Sequence, residues 1–80
     1  MLKTYRNIFD QIVEQIYLTE NSRLIELIES IYTEVEIAKD HRDIYNACQE
    51  IQITINEEDF TEQEEDIVFE IEQLIEKLSE

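Results

Sequence analysis

Carboxylates dominate the chemistry available to this chain, with 21 Asp or Glu among 80 residues against 6 Lys or Arg, one His and one Cys. Paired carboxylates can hold a divalent metal or divide acid and base roles. Glu26 with Glu29, Asp40 with Asp43, and Glu62 with Glu65 stand three residues apart, which places each pair on one face of a helix. A carboxylate metal enzyme needs more than such pairs. The di-iron bundle motif is Glu-x-x-His, and the lone His41 follows no Glu at that spacing. A calcium loop needs a Gly for its sharp turn, and the chain has none. A Cys–His nucleophile fails on distance, because His41 and Cys48 lie seven residues apart, about 10 Å along one helix. Cys48 falls in an apolar stripe and reads as a small core residue. His41 opens a helix near its apolar edge, with no visible partner. The residues therefore point to a protein that is no enzyme, with no catalytic site, no cofactor and no metal.

The same composition removes other classes. Without Gly there is no Walker loop and no dinucleotide fingerprint, since both need close backbone approach to phosphate. Without Gly or Pro, hairpin-rich folds lose their usual turns. Fourteen Ile and a hydrophobic content of 42% are too much apolar material for a disordered acidic tail. A chain of 9.7 kDa can bury roughly 64% of its surface, enough for one core, so residues 1–80 read as a single domain. A lone cysteine cannot form an internal disulfide. There is also no basic, apolar leader and no apolar run near 18 residues, so a cytoplasmic setting is expected. The Ile-rich and Glu-rich bias suggests the AT-rich genome of a bacterial host or its mobile elements.

The elements that position these carboxylates are legible in the apolar spacing. Leu2, Tyr5, Phe9, Ile12 and Ile16 run 3-4-3-4, and Ile8, Val13 and Tyr17 widen that stripe to about half the circumference, the mark of the most buried helix. Leu24, Ile28, Ile31, Val35 and Ala38 form a second stripe behind possible caps at Thr19, Asn21 and Ser22. Ile44, Cys48, Ile51 and Ile55 form a third behind Asp40. Ile67, Ile71, Leu74 and Leu78 form a fourth, where Thr61 and Glu64 spell a capping box. Alternation at Ile51, Ile53 and Ile55 also fits a strand. A lone strand has nothing to pair with, so helix is the expectation. The spacing predicts an all-α fold, a compact antiparallel bundle of three to four short helices over about 3–18, 22–38, 41–55 and 62–79.

Charge is not spread evenly over that frame. The net −15 divides into −4 before residue 41 and −11 from residue 41 on. Nine acids and no base fall between Glu57 and Glu72. Within 62–72 six acids span about 16 Å, one per roughly 2.7 Å, which lies between duplex DNA at about 1.7 Å and a single strand at about 3.4 Å. On a helical wheel Phe69 sits amid the acids, opposite the apolar stripe. An aromatic ringed by charge is the anatomy of an interface anchor. The plain alternatives are a solvated face and a Phe69 that packs on a neighbouring helix or a second copy. Ile37 and Ile53 are smaller anomalies of the same kind.

The expected partner-binding surface is Glu57, Glu58, Asp59, Glu62, Glu65, Asp66, Phe69, Glu70 and Glu72. Its expected partner is a basic protein, a nuclease or another nucleic-acid-binding protein. The charge excludes direct nucleic-acid binding and membrane binding, because both surfaces are anionic and the six bases form no cluster. In type, though through no motif, the chain is similar to phage-encoded nucleic-acid mimics that inhibit restriction or CRISPR nucleases. It is equally similar in type to bacterial immunity proteins that neutralise nuclease toxins. That resemblance implies a non-enzymatic acidic inhibitor covering a basic surface. A homo-oligomeric structural or regulatory module, a homodimer built through Phe69, is the remaining alternative.

Overall fold

In the computed structural model, which describes residues 2–78, four helices follow one another: α1 (Leu2–Thr19), α2 (Ser22–Glu36), α3 (His41–Glu57) and α4 (Glu62–Leu78). Each boundary has a local cause. The Thr19 hydroxyl donates to Ile16 O at 2.6 Å and accepts the Asn21 N–H at 3.1 Å, which closes α1. Asn21 then caps α2 by accepting the Leu24 N–H at 3.0 Å. Asp40 does the same for α3, accepting the Arg42 N–H at 3.0 Å. Thr61 and Glu64 form the reciprocal box that starts α4: Thr61 N–H donates to Glu64 Oε1 at 3.0 Å and Glu64 N–H to Thr61 Oγ1 at 3.3 Å.

The first helix runs one residue further at each end than the spacing-based expectation, and two other boundaries differ by two residues. The second helix ends at Glu36, because after the last α-type bond, Ile37 N–H to Thr33 O, the Ala38 N–H tightens to Val35 O three residues back at 3.3 Å, and Ala38 leaves the helix while still filling the core. The third runs two residues past Ile55, to Glu57. Its ambiguous stretch is helical, with Ile51 and Ile55 buried four residues apart and Ile53 exposed between them. That is the burial pattern of a 3.6 period, not of a strand. Residue 79, the last of the expected fourth helix, lies outside the described residues.

Going around the bundle the order is α1, α2, α3, α4, with α4 packed extensively on α1, α1 also touching α3 across the middle, and α2 diagonal to α4. Short links make sequential neighbours antiparallel. One core cluster results, built on Phe9, Ile12 and Ile16, Leu24 and Ile28, Ile44, Cys48 and Ile51, and Val68, Ile71 and Leu74. The fold exposes 5306 Å², close to the roughly 5,100 Å² expected for its mass. The wide stripe of α1 does not make it the most deeply buried helix. Among the described side chains it buries Phe9, Ile12, Ile16 and Thr19, whereas α3 and α4 each bury five residues. Ile8 and Val13 are half-covered and Tyr17 is exposed, because the bundle closes without them.

Glu20 is the one described residue with a left-handed backbone, at φ 56°. That position follows a helix end, where Gly is the usual occupant because a Cβ costs about 1–2 kcal/mol there. Glu20→Gly should therefore raise stability by about 1 kcal/mol, or about 4–8 °C in thermal midpoint. Thermal unfolding by circular dichroism reads this directly, and a lowered midpoint would contradict the assignment.

Candidate protein-binding surface

The outward face of α4 is built by the helix's own period. Ile71, Leu74, Ile75 and Leu78 turn inward and are buried, so Glu62, Glu65, Asp66, Phe69 and Glu70 must turn outward, and all five are exposed. Phe69 lies at the centre of that arc with 62% of its surface exposed. Its inner edge lines an open groove of about 290 Å³ between α3 and α4, with Tyr45, Gln49, Gln52 and Ile75. Phe69 is thus neither a core residue nor packed away against α3.

Part of the acid on α4 serves the helix itself. Glu62, Glu64 and Glu65 sit in the first turn, where the unsatisfied N–H groups favour negative charge. Glu64 is spent on the capping box. Asp66, Glu70, Glu72 and Glu76 lie beyond that turn and gain nothing from it. Moreover, Glu62–Asp66 and Asp66–Glu70 are like-charge pairs one turn apart, each unfavourable by about 0.2–0.5 kcal/mol. No ion pair among the described residues reaches Glu62, Glu65, Asp66 or Glu70.

The nine expected surface residues do not form one array. Glu57 ends α3 and Glu58 caps it, and both are held by Arg23 at the start of α2, at 2.8 Å and 3.4 Å. Asn21 Nδ2 also donates to Glu58 at 3.4 Å. Those two carboxylates tie α3 to α2 and are partly neutralised. Glu72 is half-buried and accepts from Gln52 Nε2 at 3.3 Å, bridging α4 to α3. Asp59 is exposed in the loop. What remains as an open, uncompensated field is Asp59 with Glu62, Glu65, Asp66 and Glu70 around Phe69.

Sequence spacing gave no sign of Arg23 or Gln52 in these roles, since their partners lie 20–35 residues away. It also left His41 without a partner. Its ring stacks on Tyr5 with centroids 5.1 Å apart, and its Nδ1 lies 3.3 Å from Asp40. The Asp40 carboxyl is held below its ordinary range, first by the Arg42 backbone N–H it accepts and then by the Arg42 side chain. Cys48 is fully covered, and burial pushes its thiol up to about 12, so it is no nucleophile near neutral pH. Among the described residues no three His, Cys, Asp or Glu side chains converge as a metal cluster, and no helix is long and apolar enough to cross a membrane.

Fold and surface together define a class: a four-helix, all-α bundle that presents an acidic outer helix face with an aromatic at its centre. No family model matches the chain, and no curated protein or solved structure matches it either.

Proposed function

We propose that the protein is a non-enzymatic inhibitor that covers a basic, nucleic-acid-binding surface of a partner protein, in the manner of a phage-encoded nucleic-acid mimic, inside a bacterial host's cytoplasm. The observation that carries this reading is the exposed Phe69 at the centre of carboxylates with no internal partner. Like charges held together at a cost to the helix need an external reason. A groove lined by Lys and Arg supplies one, because it exchanges that repulsion for attraction and steers the encounter. Phe69 would then supply the apolar anchor that charge alone cannot.

The test begins with capture of the partner from host lysate, followed by its affinity at about 50 mM and about 200 mM salt. A nucleic-acid-binding protein whose affinity falls at least about tenfold over that range, and which duplex DNA displaces, is the expected result. Asp66→Asn with Glu70→Gln should weaken the same complex while making the free protein more stable by about 0.5–1 kcal/mol, since it relieves two like-charge pairs. Salt-independent binding, or indifference to DNA, would overturn the reading. Sedimentation at twice 9.7 kDa, abolished by Phe69→Glu, would instead establish the homodimer.

A further inference from the structure

On the side of the bundle opposite the α3–α4 groove, α1 and α2 leave apolar surface that the core does not use. Val13 is half-buried, Tyr17 is 47% exposed, and Tyr32 faces them from α2 at 39% exposed. Ile28, fully covered, closes the floor between them. The result is an open groove of about 400 Å³ lined by Val13, Tyr17, Ile28, Glu29 and Tyr32. Its walls are held: the Tyr32 ring tilts against Phe9 with centroids 6.1 Å apart. The Glu36 carboxylate first, then burial and then Asp10, raise the Tyr32 phenol above its ordinary value.

The electrical character of this groove is uniform. Residues 7–22 of the first wall and 24–38 of the second contain no Lys or Arg. The bases next in sequence are bonded outside it, Arg6 to Glu36 O and Ala38 O, in a separate recess it shares with Asp10 and Glu36, and Arg23 to Glu57 and Glu58. Glu29 is therefore the carboxylate that lines the groove, and no Lys or Arg lines it. A second copy of a chain at net −15 is a poor occupant, and so is any anionic ligand.

The geometry points to a docking site for a basic amphipathic helix of a partner protein, its apolar face on Val13, Tyr17 and Ile28 and a Lys or Arg side chain on Glu29. The two tyrosine faces add a cation–π contact for a Lys or Arg at the groove edge. The lining runs from Ile28 to Tyr32 on α2 and from Val13 to Tyr17 on α1, about 6 Å each, which seats about one turn of a docked helix. This site is separate from the α4 face, and either can fail without the other.

The chain contains no Trp, so a Lys/Leu amphipathic peptide of about 12 residues with one Trp on its apolar face reports its own binding by fluorescence. A blue shift on adding the protein is expected. Tyr17→Ser and Glu29→Lys, both at exposed positions and each checked for an unchanged thermal midpoint, should weaken binding about tenfold or more in combination. Asp66→Asn with Glu70→Gln should change it less than about twofold. A scrambled peptide of the same composition should show no blue shift. The inference is overturned if the scrambled peptide binds equally, if the groove variants bind like the parent, or if the α4 variant is the one that fails. A dimer lost on Tyr17→Ser would overturn it too, making a second copy the occupant.

Discussion

At pH 8 the thiol of Cys48 in the folded protein should react with an alkylating reagent at least about a thousandfold more slowly than in the urea-unfolded chain. The factor follows from burial, which moves the thiol from an ordinary 9.0 to about 12 and so cuts the reactive thiolate fraction by about three powers of ten. The same displacement makes stability depend on pH. Below 9.0 the thiol is neutral in both states and costs nothing. Between 9.0 and 12 the unfolded chain loses its proton and the folded one keeps it, so the folded state binds more protons and stability falls as pH rises. The full loss is on the order of 4 kcal/mol at the top of that window. Lys and Tyr titrate there as well, so the informative quantity is the difference from Cys48→Ala, whose alkaline decline should be shallower. Rapid labelling of the folded protein, or identical alkaline slopes for the two, would show that Cys48 is not sealed in the core.

Replacing Arg6 by Met should cost about 2–3 kcal/mol, or about 10–20 °C in thermal midpoint. Helix α2 ends with no base in its last turn. Arg6, reaching over from α1, supplies that charge: its Nη2 donates to Glu36 O at 3.0 Å and to Ala38 O at 2.7 Å. Charge-assisted bonds to terminal carbonyls combine two favourable terms, hydrogen bonding and the helix dipole. The anchoring is not perfect, since the buried Arg6 Nε has no partner. Met keeps much of the side chain's packing while removing that buried donor, so its loss measures the carbonyl contacts. Arg6→Lys, with the charge but not the fork, should recover part of the difference. Equal midpoints for the Met and parent proteins would mean that the α2 carbonyls are served as well by water.

Both effects bear on what could be read from the chain alone. Cys48 as a core residue was legible because its neighbours at 44, 51 and 55 share its face, a property of one helix. The caps at Asp40 and at Thr61 with Glu64 were legible for the same reason, each using partners within three residues. Thr19, Asn21 and Ser22 were all eligible caps, and only the observed backbone path shows that Thr19 closes one helix while Asn21 opens the next. Arg6 as a helix cap was illegible, since its acceptors lie 30 and 32 residues on. The acidic surface was half legible. The period of α4 fixed which carboxylates turn outward around Phe69, but the run from Glu57 to Glu72 looked continuous until Arg23 and Gln52 claimed three of its members.

The amino-acid sequence by itself determined the four helices, their inward faces and the concentration of charge in the second half, because those depend on spacing within one helix and on counting. Only the tertiary structure decided which of that charge is free and which is tied, and which apolar residues of the first helix the core leaves outside. Those outcomes depend on where separate helices meet, and the same helical stripes pack in more than one arrangement until long-range contacts select one.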